Sequence, residues 1–368
     1  MEYIDTIEVH AEGEPGRIIL NAADLVKGET MAERLAYCKE HLDWLRKLVL
    51  HEPRGYPALC AVLLLPPVNE GSDFGIIVLE QGGFTPMSGS NTICAVTAAI
   101  EGGLVQARGE QTTVVIDTAV GVVTAQAAVR PDGKVQSVTV LNVPSFAVQI
   151  DAPLLLPEYG QVLVDVVFGG QFFAQLDLSQ LGLELDPDRG KELARLGAMV
   201  KMAAAQQLRV AHPLFEQINE VALVMLHSGA PAPGKRNQNT VVLSNGVLDP
   251  QDPASWVGVL DRSPCGTGTS ARMAALHARG QLALGEDFEH FSIIGSKFTG
   301  RLIGTEEVAG RQAVRPTITG RGWITGRAQW SVHPEDLFPQ GYTLSDIWAP
   351  QARGNKAGNP RPQQQMNQ

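Results

Sequence analysis

The chain has 368 residues, of which 44% are apolar, and 29 basic residues against 39 acidic ones leave a formal charge of -10. That length exceeds the usual single core and favours two domains of ordinary size. The acidic balance opposes binding to nucleic acid or to an anionic membrane surface and fits a small-molecule partner. No apolar run approaches the roughly 20 residues of a membrane span, and the first ten residues are acidic and strand-like, so a soluble, cytoplasmic protein with no membrane partner is expected.

The opening residues 3–9 alternate loosely and read as a strand, ending in the turn His10-Ala11-Glu12-Gly13-Glu14-Pro15-Gly16 before a second strand near residues 17–20. Met31, Leu35, Leu42, Leu45 and Val49 fall near helical spacing, with Thr30 as N-cap and Glu33 in capping-box position, which predicts one amphipathic helix over 30–50. Buried strands follow over 58–65 and 74–79. A helix that is apolar on nearly every side spans 89–100, so it belongs inside a domain. Strands over 112–117, 121–129 and 135–143 suggest an antiparallel meander. A proline-punctuated stretch over 151–159 starts a second cycle: strands over 161–168 and 171–177, a long helix over 188–204, then strands over 220–227, 239–243 and 256–260. A helix over 269–279 closes on Gly280. From residue 352 onward Gly, Asn, Pro and Gln dominate, and 351–368 reads as a disordered tail.

The most informative feature is a pattern that occurs twice. Pro86-Met87-Ser88-Gly89-Ser90-Asn91-Thr92 and Ser263-Pro264-Cys265-Gly266-Thr267-Gly268-Thr269 each run into a small-residue helix. In each, a nucleophilic side chain precedes a glycine-led turn whose N–H groups would face an anion. The copies lie 265 - 88 = 177 residues apart, the spacing a tandem duplication would leave. One turn offers a thiol and the other a hydroxyl, so the two sides cannot do equal chemistry. A thiol at a helix N-terminus feels the positive end of the dipole, which predicts a lowered pKa and a thiolate for Cys265. Cys94 sits in an apolar helix, Cys60 in a buried strand and Cys38 in the amphipathic helix, and all three read as packing residues.

Other readings of these residues are weaker. Gly266-x-Gly268-x-x-Ala271 with Glu286 downstream matches a dinucleotide fingerprint, but no strand runs directly into it and it leaves the turn at Ser88 unexplained. The histidines are scattered without a paired metal-ligand spacing, so no metal is expected. Ser88 lacks the Gly-x-Ser-x-Gly of a hydrolase elbow. A binding protein for cyclic amino acids that has lost its chemistry is a further class.

Asp261-Arg262-Ser263-Pro264-Cys265-Gly266-Thr267-Gly268-Thr269, with Pro86-Met87-Ser88-Gly89 and the His10 to Pro15 turn, resembles the proline racemase superfamily over nearly the whole ordered chain. The resemblance implies an α+β architecture of two pseudo-symmetric, diaminopimelate-epimerase-like domains. Each would be a curved mixed sheet around a central helix, with the active site between them. The corresponding division is 1–150 plus about 325–350 for the first domain and 151–324 for the second. It also implies no cofactor, a cyclic imino acid as substrate, and a homodimer as one expected assembly. Asp261 is positioned in family members to hold the ring ammonium, Asn91 matches a family asparagine or caps its helix, and N–H groups near Gly89, Ser90, Gly266 and Thr267 would stabilise the carbanion-like state.

Racemases and typical epimerases carry cysteine where Ser88 stands and usually histidine where Ser90 stands. A racemase needs groups of similar pKa on both faces, whereas dehydration needs a strong base on one. The departure therefore resembles the trans-3-hydroxy-L-proline dehydratase branch. In that substrate the α-hydrogen and the hydroxyl share a ring face, so Cys265 alone would serve both and release Δ1-pyrroline-2-carboxylate. The expectation is a lyase, with 4-hydroxyproline 2-epimerase or proline racemase as the alternative, and Cys265 and Ser88 as catalytic residues.

Overall fold

The computed structural model describes residues 3–348 except 217, 233, 245–247 and 334; the expected tail over 351–368 lies outside the described residues. The first half starts with the hairpin β1 (Tyr3–Ala11) and β2 (Glu14–Ile19), turned at Glu12 and Gly13, both at positive φ. Two helices follow, α1 (Met31–His41) and α2 (Asp43–Leu50). The single helix expected here is broken at Leu42. The Thr30–Glu33 capping box starts α1, and Asp43 begins a second first turn in which it pairs with Arg46 and Lys47. Next come β3 (Cys60–Leu65), β4 (Phe74–Glu80), the short β5 (Gly83–Thr85) and α3 (Gly89–Glu101). The meander β6 (Gln111–Thr118), β7 (Gly121–Val129) and β8 (Val135–Leu141) completes the half as expected.

β9 (Phe146–Leu156) then crosses over, and the stretch read as a proline-punctuated start is an ordinary strand pairing with β10 (Gly160–Phe168). The second half continues with β11 (Phe172–Asp177), α4 (Gly190–Gln207), β12 (Val221–His227), β13 (Asn237–Leu243), the two-residue β14 (Val259–Leu260) and α5 (Gly266–Ala278). It ends with β15 (Asp287–Ser292), β16 (Lys297–Val308) and β17 (Arg311–Gly320), and β18 (Gly322–Ser331) returns to pair with β1. The sequence pattern marks none of these last four strands.

Strand pairing repeats between the halves. β1 to β4 pair antiparallel, parallel, antiparallel, and β4 then takes β6 in parallel. β10 to β13 repeat that order, and β13 takes β15 in parallel. β8 joins β17 antiparallel, so both halves share one continuous sheet. The fold is α+β, a curved mixed sheet wrapped around two central helices. The first ten or more residues of α3 and of α5 are buried. Ile93 and Val96, each wholly buried, stabilise by roughly 2 kcal/mol apiece.

Candidate active site

Helices α3 and α5 meet at their N-termini. Their first residues are Gly89 and Gly266, and a Cβ added to Gly89 would stand 3.0 Å from the Gly266 Cα. Only glycine permits this approach. Ser88 and Cys265 are the two N-cap residues, so the approach brings hydroxyl and thiol to the walls of one small cavity of ≈ 30 Å³. All eight residues singled out from the sequence line it: Ser88, Gly89, Ser90 and Asn91 from the first half, and Asp261, Cys265, Gly266 and Thr267 from the second.

Cys265 is held in an unusual conformation, with φ 61°, a left-handed value costly for a residue with a Cβ. A chain of hydrogen bonds fixes it there. Asp261 Oδ1 accepts from the Ser263 amide at 2.8 Å and from the Ser263 hydroxyl at 2.9 Å, and Ser263 Oγ accepts from the Cys265 amide at 3.0 Å. The sulfur accepts from the Gly268 amide at 3.4 Å, the helix-start contact expected to acidify it. The direction is nevertheless the reverse of that expectation: burial pushes the Cys265 thiol well above its ordinary value, Asp261 adds to the rise, and Thr267 and the Gly268 amide only partly offset it. Desolvation disfavours the thiolate more than one helix end favours it.

On the other wall, Ser88 Oγ accepts from Asn91 Nδ2 at 3.1 Å and stands 3.4 Å from Ser90 Oγ. Asn91 is thus turned toward Ser88, while the α3 start is left without a side-chain cap.

Seven further residues line the cavity, and three of them carry titratable groups: Glu14, Glu80 and Cys60. Glu14 reaches across from β2, its Oε2 accepting from the Arg262 amide at 2.7 Å. Burial and then the Asp261 charge raise Glu14 well above its ordinary carboxylate value, and burial raises Asp261 beside it. Cys60, read as a packing residue, lies in the cavity wall with its thiol 3.9 Å from Glu14 Oε1. Glu80 ends β4, and its carboxyl is pushed up to about 7 by burial and by the Asp261 charge. Leu223, Val241 and Leu243 supply apolar wall, and Gln171 adds an amide.

Residues left outside the site do structural work. His10 Nδ1 accepts from the Gly13 amide, Glu12 accepts from the Arg321 amide, and Arg54 pairs with Asp336. Glu286 accepts from the Ala283 amide in an exposed turn, so the dinucleotide reading loses its ribose acid. Among the described residues no group of three or more His, Cys, Asp or Glu is placed to hold a metal ion, and no helix is long and apolar enough to cross a membrane.

Two sheet halves, each with its central helix aimed at a shared buried cavity, define an α+β protein built of two pseudo-repeats. The chain belongs to the proline racemase family, whose model matches residues 6–343. It is 38% identical over 338 residues to 4-hydroxyproline 2-epimerase of Streptosporangium roseum, covering 92% of this chain and 97% of that one. It is 37% identical over 355 residues to proline racemase A of Trypanosoma cruzi, covering 92% and 81%. A solved hydroxyproline epimerase from Agrobacterium vitis, with bound trans-4-OH-L-proline, superposes with a TM-score of 0.85 at 36% identity, covering 95% of this chain and 98% of that one.

Proposed function

We propose that this protein is a cofactor-independent enzyme that removes the α-proton of a hydroxyproline through Cys265 and returns a proton to C2, as a 4-hydroxyproline 2-epimerase. The observation that carries this reading is the meeting of Gly89 and Gly266, which sets two helix starts and two proton-bearing N-cap residues against one small cavity. The substrate carboxylate would lie between the opposed N–H groups, where partial positive charge stabilises the enediolate-like state. Its ring ammonium would face Asp261. That contact would neutralise the charge which, with burial, holds the Cys265 thiol high, so binding itself would ease ionisation of the sulfur. The names of the relatives support epimerisation rather than water loss.

A second reading rests on one observation, the oxygen at residue 88. A hydroxyl is a poor partner for a thiol in two-face proton exchange, and dehydration of trans-3-hydroxy-L-proline needs a base on one face only. Incubation in D2O with trans-4-hydroxy-L-proline, trans-3-hydroxy-L-proline and L-proline separates the readings. Inversion at C2 with label uptake supports the epimerase, pyrroline formation supports the dehydratase, and no α-label with any of the three overturns both.

A further inference from the structure

The epimerase reading leaves a gap on the Ser88 side. A serine hydroxyl ionises far too reluctantly to act alone as acid or base near neutrality, and it must be fed by a group that titrates there. Ser88 receives the Asn91 amide, which is a donor and cannot serve as a base. The group has to come from elsewhere in the cavity wall.

Five titratable side chains line that wall: Glu14, Cys60, Glu80, Asp261 and Cys265. Four of them are committed. Cys265 belongs to the opposite face. Asp261 is tied to Ser263, and Glu14 is tied to the Arg262 amide and to Asp261. Cys60 is pushed well above the ordinary thiol range by burial and then by Glu14. Glu80 remains. It lies at the end of β4, which pairs with the β5 strand that leads through Pro86 and Met87 to Ser88, so it stands on the Ser88 half. Glu80 and Ser88 therefore line the same cavity from the same half of the molecule.

We propose that Glu80 is the proton donor and acceptor for the substrate face that Ser88 covers, exchanging the proton across the Ser88 hydroxyl. This rests on the epimerase reading above and supplies the proton source behind its second face. In one direction the Cys265 thiolate takes the α-proton, and the Ser88 hydroxyl gives its proton to C2 while receiving one from the Glu80 carboxyl. Cys265 then holds a thiol and Glu80 a carboxylate. That form works on the opposite C2 epimer, with Glu80 drawing the α-proton through Ser88 and Cys265 returning one. Exchange with solvent resets either form, and no other reactant is needed.

The electrostatic surroundings fit the role. Burial and Asp261 raise the Glu80 carboxyl, while the Thr85 hydroxyl and then Lys201 from α4 oppose them, and the balance lies at about 7, close to the working range of a general acid–base group. Lys201 in turn is drawn on by Glu220 as well as by Glu80. The Glu80 backbone carbonyl accepts from Arg46, which anchors the strand end.

The test compares wild type, Glu80→Gln, Ser88→Cys and the double variant Ser88→Cys/Glu80→Gln with trans-4-hydroxy-L-proline in D2O, following inversion at C2 separately from label uptake with retained configuration. Glu80→Gln is expected to lose inversion by about 100-fold, the usual scale for removing a general acid–base group, while label uptake with retention persists and reports an intact fold. The pH limb near 7 in the inversion rate should vanish with it. A second thiol at residue 88 carries its own proton, so the double variant should invert at the rate of Ser88→Cys alone. Glu80→Gln with wild-type inversion and an unchanged pH profile would overturn the inference. So would a folded double variant that stays inactive while Ser88→Cys works. Wild-type protein that only loses water from trans-3-hydroxy-L-proline, and never inverts C2, would overturn it and leave the part of Cys265 standing. Absence of any α-label in the wild type would instead remove the functional reading itself.

Discussion

Gly89 and Gly266 touch across the two halves of the molecule: a Cβ built on the first falls 3.0 Å from the second's Cα, and one built on the second falls 2.9 Å from the first's. Both contacts are with backbone, so no side-chain tip can swing aside to make room. Gly89→Ala and Gly266→Ala should each destabilise by ~1–3 kcal/mol, the usual cost of overpacking. Each should also lower turnover by about 100-fold, because forcing the helix starts apart misplaces Ser88 against Cys265 on the ångström scale. Gly304→Ala, with nothing within 4 Å of its Cβ position, is the control and should change stability by less than ~0.5 kcal/mol. Thermal melts and steady-state rates check all three; a Gly89→Ala enzyme with normal melting and turnover would mean that the junction opens freely.

The two N-cap side chains are unequal, and their substitutions should be unequal too. Cys265→Ser is expected to abolish both inversion and α-label uptake, a loss of about 1,000-fold or more, since the base itself is gone. Ser88→Ala should block inversion yet leave label uptake with retention. Near-normal turnover in Cys265→Ser together with complete loss of both readouts in Ser88→Ala would reverse these roles.

Legibility in the sequence followed locality. The run from Asp261 to Thr269 and the turn at Ser88 carry their chemistry within nine residues, so family, fold class and the eight lining residues were all readable. Glu14, Cys60 and Glu80 reach the cavity by sheet register, Gly16 against Cys60 and Val78 against Thr85, and register has no short-range signature. A carboxylate closing the apolar run of 74–79, eight residues before Ser88, was the only available hint of Glu80. The strands from β15 to β18 escaped because exposed Arg, Glu, Thr and Gly dilute their apolar alternation. The direction of the Cys265 shift was misread because a helix end is visible in sequence, whereas burial is a property of the assembled halves.

Asp261 raises the Cys265 thiol by its charge and by accepting a hydrogen bond from it. Asp261→Asn removes the charge and weakens the acceptor, so the thiol should become more acidic while substrate binding through the ring ammonium is lost. The expected result is faster alkylation of Cys265 by iodoacetamide at pH 8, about tenfold per unit of pKa lowered while the thiol remains mostly protonated, with turnover gone. Peptide mapping by mass spectrometry reads the modified position. Slower alkylation in the variant would show that Asp261 helps rather than hinders ionisation.

Acid should destabilise the fold through four histidines. Burial lowers His51 to about 4 and His290 to about 3, and Thr269 Oγ1 stands 2.9 Å from His290 Nδ1. The unfolded chain binds these protons near 6.5, the folded chain only far lower, so the folded state loses stability as pH falls from about 6.5 toward 4. The slope approaches roughly 1.4 kcal/mol per pH unit for each histidine in that window. Glu80 acts with the opposite sign: its folded carboxyl stays protonated up to about 7, so its contribution is present below about 4.5 and is lost as pH rises toward 7. His212 and His227, also lowered by burial, act with the first pair, and Glu14 and Asp261, both raised by burial, act with Glu80; four histidines against three carboxyls leave a net expectation of falling stability with acid between pH 6.5 and 4.5. Glu80→Gln should steepen that fall, because it removes the opposing slope, and His290→Gln should flatten it. Denaturant midpoints measured every half pH unit check both, and a steeper acid slope in His290→Gln would mean that this ring is already protonated in the folded protein.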